Sequence, residues 1–408
     1  MKDYWIEEVK LTKENKQAEH VCPSCERKKM SVFHEVKNVP MHSVLNMATR
    51  EKALSYPTGD ILLGFCGNCG FVSNVAFDAG KLEYSTDCEE SQGFSPTFNK
   101  FSRRLAKHLI EKYDLHHKDI LEIGCGKGEF LTLLCDLGEN RGMGFDPAYV
   151  KDRDMSKAAE RITFIQDFYS EKYADYHADF VCCKMTLEHI HPTAEFVRMV
   201  RRSIGDRLDT IVFFQIPDVT RILRDCAFED IYYEHCSYFS PGSLARLFRK
   251  CRFDVMHLAT EYNGQYLIIE AKPADPPTLS PLSQENDIEK LKCYVKGFQA
   301  KYRSKLSTWR KRLQETRKKD QRLVLWGSGS KAVSFLTTFQ VHDDIEYVVD
   351  INPYRQGTFM AGTGQKIVAP EFLREYQPDI VVIMNVIYLQ EIQQDLNRMG
   401  LAPKLLTI

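Results

Sequence analysis

A strand, a glycine turn and a helix follow one another near residue 120, and they constrain the fold more than any other segment. An apolar strand pattern runs from Asp119 to Ile123, and the turn after it places glycine at 124, 126 and 128. A helical pattern of apolar residues begins at Phe130. Glycine is needed where a backbone passes close to a ligand or adopts positive φ, because a side chain would collide there. This order is typical of the nucleoside-binding edge of a doubly wound α/β sheet.

Three later strand ends supply polar side chains at the same edge of that sheet. A second strand pattern is followed by Asp146, at the interval where such folds hydrogen-bond a ribose diol. A third ends at Asp167 and Phe168, which suit the edge and the face of an adenine ring, and a fourth ends at Lys184. The turn reads Glu-x-Gly-x-Gly-x-Gly and offers no pyrophosphate seat. A dinucleotide site and a purely structural turn are therefore the less favoured alternatives.

Together these features resemble the cofactor site of class I S-adenosylmethionine-dependent methyltransferases. The resemblance implies that the chain binds S-adenosylmethionine (SAM) at this edge. The residues that match the site are Glu122, Gly124, Gly126, Gly128, Asp146, Asp167, Phe168 and Lys184.

Length and composition limit the other possibilities. A chain of 408 residues has room for two or three domains. The formal net charge of −1 gives no electrostatic preference for nucleic acid or a membrane, so neither is expected as a partner. The charged first residues do not resemble a signal peptide, and the 13 cysteines are an odd number, many within apolar runs. We therefore expect reduced thiols and a cytoplasmic protein.

Four cysteines stand apart from the others as two Cys-x-x-Cys pairs. Cys22 and Cys25 form the first pair, and Cys66 and Cys69 form the second. Each pair can present two thiolates along one edge of a tetrahedron, so the two pairs complete a four-cysteine zinc site. Four thiolates leave no open coordination position, and the predicted Zn²⁺ is therefore structural. The alternative is four unrelated buried cysteines.

The patterns divide the chain into four segments. Residues 1–83 are the predicted zinc-binding module, and residues 84–272 alternate helix and strand as a doubly wound sheet requires. Residues 273–320 hold a proline-rich linker and one long amphipathic helix, whose basic faces favour a solvated surface over a nucleic-acid surface. Residues 321–408 repeat the strand, glycine turn and helix around Gly327. The predicted fold class is α/β, with a zinc-binding module, a class I methyltransferase core and a smaller Rossmann-like C-terminal domain.

The order of these parts resembles the sugar C-methyltransferase family, which acts on nucleotide-linked keto-deoxysugars. The resemblance covers nearly the whole chain and includes the Tyr-x-Glu-His segment that follows the fifth strand. It implies a small-molecule acceptor, a nucleotide-linked sugar, held by the C-terminal domain, and a zinc module that covers the cleft. The residues that it implies for catalysis are Tyr232, Glu234, His235, His189 and Tyr84.

Carbon methylation explains why such residues are needed. An enzyme that methylates the carbon next to a carbonyl must remove a proton from it and stabilise the enolate that forms. His235 is the expected base, with Glu234 orienting or assisting it. Tyr232 and His189 are expected to donate hydrogen bonds to the enolate. The position of Tyr84 matches a tyrosine between the zinc module and the first core helix of the family.

Two departures from the family pattern leave other functions open. The family's His-Gly-Gly stretch is replaced here by the segment Glu261–Tyr266, which keeps one glycine, and the segment Tyr84–Pro96 is rich in acids. An O- or N-methyltransferase on another small metabolite is the main alternative, because a hydroxyl or amine needs no enolate. A binding protein without turnover is disfavoured by the intact cofactor residues. RNA modification is disfavoured by the near-neutral charge.

Overall fold

The computed structural model describes residues 20–82, 84–151, 153, 156–341 and 344–408, with only the backbone described for Lys29. The start of the predicted zinc module, residues 1–19, and Glu83 lie outside this range. The strands are β1 His20–Val21, β2 Lys28–Pro40, β3 Thr58–Cys66, β4 Val72–Asn74, β5 Asp119–Ile123, β6 Arg141–Phe145, β7 Ile162–Ile165, β8 Phe180–Lys184, β9 Ile211–Pro217, β10 Ser237–Tyr238, β11 Phe253–Glu261, β12 Tyr266–Pro273, β13 Leu323–Trp326, β14 Tyr347–Val349, β15 Lys366–Val368, β16 Ile380–Ile383 and β17 Lys404–Thr407. The helices are α1 Arg50–Leu54, α2 Pro96–Tyr113, α3 Glu129–Gly138, α4 Thr193–Ile204, α5 Val219–Asp225, α6 Pro241–Lys250, α7 Ile288–Lys318, α8 Ser330–Phe339, α9 Leu373–Tyr376 and α10 Leu389–Arg398.

The central sheet has seven strands in the order β11-β12-β9-β8-β5-β6-β7. The five strands from β9 to β7 are parallel, and β12 runs antiparallel to both of its neighbours. This order, with one reversed strand near the edge, is the class I methyltransferase fold, and it confirms the predicted fold class of the core. The carboxyl ends of β5, β6 and β8 meet at one edge, where parallel α/β sheets bind their ligands.

The C-terminal sheet is a smaller copy of the same arrangement. Its five strands are all parallel and lie in the order β15-β14-β13-β16-β17, so that β13 is central. The predicted second nucleotide-type unit is therefore present, and its first glycine turn lies between β13 and α8.

The N-terminal sheet is antiparallel and includes a strand from a distant part of the chain. Its order is β1-β2-β3-β4-β10. In β10, Ser237 pairs with Ser73 and Tyr238 pairs with Val72 of β4. The segment Tyr232–His235 ends directly before β10, so this pairing fixes it against the N-terminal module.

The long predicted helix is confirmed as α7. One face buries Leu291, Phe298, Tyr302, Leu306 and Trp309. These residues belong to a hydrophobic cluster that also contains residues of the N-terminal sheet, of α5 and of α8. Helix α7 therefore packs against all three parts of the molecule. None of the described helices combines the length and the apolar composition needed to cross a membrane.

Candidate active site

The first glycine turn has the geometry of a ligand-binding edge. Gly124, Gly126 and Gly128 have φ values of 68°, 54° and 86°, in the left-handed region that other residues avoid. A Cβ atom at Gly124 would lie 2.0 Å from Thr186 Oγ1, so the turn has no room for a side chain. Asp146 accepts hydrogen bonds from the backbone N–H groups of Gly126 (2.8 Å) and Ala148 (2.7 Å). The carboxylate is thus held beside the turn by bonds that leave further lone pairs available.

Glu122 and Lys184 lie at neighbouring strand ends beneath the turn. Burial raises the pKa of Glu122 to about 7, and its Oε2 atom has no hydrogen-bond partner. Burial lowers the pKa of Lys184, while the charge of Glu122 opposes that shift. The Lys184 ammonium lies 3.6 Å from the ring centroid of Phe130.

The residues proposed for adenine recognition lie at the rim. The side chain of Phe168 is 61% exposed, and the carboxylate of Asp167 binds Lys172 and accepts a hydrogen bond from Tyr173 Oη at 2.5 Å. Both residues line the same cavity as the glycine turn. Their contact with a cofactor remains a prediction.

One cavity of about 710 Å³ joins this edge to the other two parts of the molecule. The glycine turn of the central sheet lines one side, and the turn after β13 lines another. His42, Val44 and Tyr84, from the segments that precede the central domain, also contribute. All five residues that the family resemblance implies for catalysis line this cavity: Tyr84, His189, Tyr232, Glu234 and His235.

A hydrogen-bonded group connects Tyr84, His189 and Glu234. His189 Nδ1 lies 3.1 Å from the carbonyl oxygen of Glu234 and 3.0 Å from Tyr84 Oη. Because a carbonyl oxygen can only accept, we assign the proton of this ring to Nδ1. Nδ1–H is then shared between the two oxygens, and the Tyr84 hydroxyl keeps its own proton for donation to another group.

His235 is buried among aromatic rings. Its ring centroid lies 4.7 Å from that of His189 and 4.3 Å from that of Tyr232. Burial lowers the pKa of His235 well below its ordinary value. The imidazole is therefore neutral near pH 7, with one ring nitrogen that carries no proton.

Glu234 is held by the N-terminal module and not by the neighbouring histidine. Its Oε1 atom accepts hydrogen bonds from the backbone N–H of Ser43 at 2.9 Å and from the Ser43 hydroxyl. The carboxylate makes no hydrogen bond to the His235 ring. Burial raises the pKa of Glu234 to about 7, and the bonds from Ser43 act in the opposite direction.

Glu188 is a site residue that the sequence reasoning did not select. Both of its carboxylate oxygens are buried without a hydrogen-bond partner, and burial raises its pKa to about 8. One oxygen lies within 4.8 Å of ring nitrogens of both His189 and His235. Its position directly before His189 in the sequence was the available signal.

A charged group beside Tyr232 was also missed. Asp230 is buried, and its carboxylate binds both Arg221 and Lys331. Tyr232 Oη lies 3.4 Å from the same carboxylate. Lys331 belongs to α8 and Asp230 to the central domain, so sequence distance concealed this pair.

The segment that departs from the family pattern joins the C-terminal unit. Gln265 and Asn385 exchange two side-chain hydrogen bonds of 3.0 Å. The hydroxyl of Tyr262 donates to that of Tyr388 at 2.8 Å. Gln265 and its partner thus close one wall of the cavity.

The four predicted zinc ligands form one cluster. Cys22 Sγ lies 3.7 Å from Cys69 Sγ, and Cys25 Sγ lies 3.6 Å from Cys66 Sγ. All four sulfur atoms lie within 4.8 Å of one another. A tetrahedral zinc with Zn–S bonds of about 2.3 Å requires sulfur atoms roughly 3.8 Å apart, so the donor set and its spacing fit this metal.

Comparisons with known proteins agree with the site. A family described as methyltransferase domain matches residues 98–258, and one described as C-methyltransferase C-terminal domain matches residues 273–402. The chain is 24% identical over 308 residues to the C-methyltransferase NovU of Streptomyces niveus. This match covers 71% of this chain and 72% of that protein. Together these matches support a relationship to the C-methyltransferase family. The chain is therefore a SAM-dependent methyltransferase.

Two solved methyltransferase structures match the chain over less than half of its length. The 1,6-didemethyltoxoflavin-N1-methyltransferase of Burkholderia thailandensis is 16% identical, with a TM-score of 0.34, and the match covers 44% of this chain and 82% of that one. The magnesium protoporphyrin IX methyltransferase of Synechocystis is 12% identical, with a TM-score of 0.35, and the match covers 44% and 84%. Likeness at this level carries no argument about the reaction.

Proposed function

We propose that this enzyme methylates a carbon atom next to a carbonyl group of a small molecule. The observation that carries the proposal is the meeting of Tyr84, His189, Glu234 and His235 at one cavity with the SAM-type glycine turn. SAM, when bound, supplies a methyl group activated by a positively charged sulfur. An acceptor carbon becomes a nucleophile only after it loses a proton, and the residues of this group are suited to that step.

His235 is the proposed base. Its neutral imidazole accepts the proton from the α-carbon, and the electrons of the C–H bond move to the carbonyl oxygen as an enolate. Tyr84 keeps a free hydroxyl proton because His189 Nδ1 donates to it, so Tyr84 is the proposed donor to the enolate oxygen. Tyr232 and His189 complete the wall on this side. Glu234, which does not contact the His235 ring, is proposed as a second proton-handling group.

We propose a nucleotide-linked keto-sugar as the acceptor. The support is the large cavity, which reaches from the SAM-type turn to the turn of the C-terminal unit, together with the match of that unit to the C-methyltransferase C-terminal domain. Glu122, Gly124, Gly126, Gly128, Asp146, Asp167, Phe168 and Lys184 would hold SAM on the opposite side.

One observation favours a free small metabolite as the acceptor, which is the kind of substrate expected for the alternative O- or N-methyltransferase. Three of the cations that line the cavity already have hydrogen-bond or ion-pair partners within the protein. Arg221 and Lys331 share Asp230, and Lys127 Nζ donates to the carbonyl of Ala148 at 2.7 Å. Cations that are free to bind would strengthen the binding of a diphosphate, whereas a free metabolite has no such need.

Calorimetric titration of TDP, UDP, GDP and CDP into protein saturated with S-adenosylhomocysteine (SAH) separates these candidates. A clear preference for one diphosphate supports a nucleotide-linked acceptor. Failure of all four to bind, with SAH still bound, contradicts it and favours the free metabolite.

We propose that Cys22, Cys25, Cys66 and Cys69 hold a structural zinc ion. Cys66→Ser should lose the metal and destabilise the N-terminal module, because metal binding of this kind is coupled to folding. Metal content by mass spectrometry and thermal unfolding check this result. Cys293→Ser, at an exposed cysteine, is the control and should keep the metal. Unchanged zinc in Cys66→Ser would refute the site.

The cysteines also support a proposed cytoplasmic location. All 13 are free of disulfides, and all but Cys25 and Cys293 are buried. Buried reduced thiols are typical of proteins in reducing compartments.

A further inference from the structure

Ser43 connects the N-terminal module to the proposed proton-transfer group. It lies in the segment after β2 and is 1% exposed. Its backbone N–H and its hydroxyl both donate to the same oxygen of Glu234, Oε1. Two donors on one carboxylate oxygen fix the orientation of the whole group.

The second carboxylate oxygen of Glu234 is available to a further hydrogen-bond donor. Oε2 is buried and has no hydrogen-bond partner, and Glu234 lines the cavity. Leaving a buried carboxylate oxygen unpaired costs free energy, so it is expected to have a partner when the cavity is filled. The orientation set at Oε1 decides where Oε2 points.

A third side chain extends this contact to the C-terminal unit. The Ser330 hydroxyl lies 2.6 Å from that of Ser43. Ser43 donates its single hydroxyl proton to Glu234, so Ser330 is the donor in this pair. Ser330 is the first residue of α8 and lines the cavity at the second glycine turn.

We propose that Ser43 is a positioning residue that holds Glu234 ready to accept a proton, and that Ser330 couples it to the C-terminal unit. The assignment of Glu234 to proton transfer rests on the proposed function. The hydroxyl bonds stabilise the carboxylate form, so their loss should favour the protonated form. A ligand that engages Ser330 would change the same balance.

Other groups around Glu234 do not replace this contribution. Three buried tyrosines face it: Tyr84, Tyr232 and Tyr238. Three histidines are also near: His189 contacts its carbonyl oxygen, His235 follows it in the chain, and His42 precedes Ser43. Burial and the bonds from Ser43 are the main influences on its pKa. No lysine or arginine pairs with it among the residues described.

The test is the titration of Glu234 followed by NMR of protein labelled with ¹³C at the glutamate carboxyl carbon, in the SAH complex. Glu234→Gln assigns the signal. Ser43→Ala should raise the Glu234 pKa by about one pH unit, because a hydrogen bond to a charged group is lost. Ser43→Thr keeps a hydroxyl and should restore the wild-type value, whereas Ser330→Ala should cause a smaller rise.

An unchanged Glu234 titration in Ser43→Ala, with normal SAH affinity, would overturn the proposal. If Ser43→Ala fails to fold, Ser43→Cys serves the same purpose, because a thiol is a weaker donor. An unchanged titration in Ser330→Ala would overturn the coupling. The measurement needs no methyl acceptor, so a failure of carbon methylation would leave its outcome intact.

Discussion

The two glycine turns of the molecule have the same architecture but differ in how their polar groups are satisfied. In each, a central strand leads through glycines into a helix, and an aspartate follows the neighbouring strand. Asp146 of the central domain receives two backbone N–H groups. Asp350 of the C-terminal unit receives the N–H and the hydroxyl of Ser328 and the N–H of Asn352.

At the second turn the polar groups are satisfied by other groups of the protein. Arg355 is buried and donates to the hydroxyl of Ser328 at 2.6 Å and to its carbonyl oxygen at 2.8 Å. Gly327 is the single glycine of this turn with a positive φ, whereas the first turn has three. A Cβ atom at Gly329 would meet nothing within 4 Å.

The side of the cavity formed by the central domain instead contains carboxylate oxygens without hydrogen-bond partners. Glu122, Glu188 and Glu234 each have at least one buried carboxylate oxygen without a partner. Buried polar groups are normally paired, so these three carboxylates, which all line the cavity, are candidates for contact with a ligand or water. We therefore propose that the central domain carries the chemistry, while the C-terminal unit forms a preorganised wall for the acceptor.

Substitution of the corresponding glycines in the two turns should give the largest difference in SAH affinity. Gly126→Val should weaken SAH binding by about 100-fold or more, because valine resists positive φ and occupies the ligand's space. Gly329→Val should leave SAH affinity within about twofold, since its Cβ position is open. Calorimetry with SAH measures both. Similar losses in both variants would contradict the difference between the turns.

The unpaired carboxyl of Glu188 predicts a pH-dependent stability. Burial raises its pKa from 4.5 to about 8, so within this range the unfolded chain ionises while the folded protein keeps the proton. Stability should therefore fall as pH rises through this window, and Glu188→Gln should remove that part of the slope. The stability of the variant relative to wild type should increase by about 3 to 4 kcal/mol between about pH 5 and pH 8.

Denaturant unfolding at several pH values measures this effect. Glu289→Gln, at a side chain that is 84% exposed, is the control and should leave the slope unchanged. A Glu188→Gln variant with the wild-type slope would show that the carboxyl has a partner in the folded protein.

Substitution of Asp146 and of Asp350 should also have different effects on SAH affinity, but the difference should be smaller than for the glycines. Asp146→Asn should weaken SAH binding by about tenfold, because the amide nitrogen cannot accept a hydrogen bond from a ribose hydroxyl. Asp350→Asn should leave SAH affinity unchanged, since its carboxylate serves Ser328 and Asn352. Calorimetric affinities of the two variants check this. Equal weakening would assign SAH to both turns.

Features encoded in neighbouring residues were predictable from the sequence. The turn at Gly124, the long helix α7 and the two cysteine pairs are each set by local spacing, and the structure places them as expected. These features need no knowledge of which segments meet in space.

Long-range partners could not be predicted in the same way. The bond from Ser43 to Glu234 joins residues 191 positions apart, and Lys331 reaches Asp230 across 101 positions. The two-residue strand β10 draws the Tyr232–His235 segment to the N-terminal sheet, which no periodicity reveals. The family resemblance implied that Glu234 orients or assists His235, and the structure shows that Glu234 accepts hydrogen bonds from Ser43.

The most direct test of the claim that SAH binds at the first turn and not at the second is a crystal structure of the SAH complex. The account predicts adenosine over the turn at Gly124–Gly128, with ribose hydroxyls on Asp146 and the sulfur facing Tyr84, His189 and His235. SAH seated over Gly327–Ser330, with Asp146 free of ribose, would contradict it.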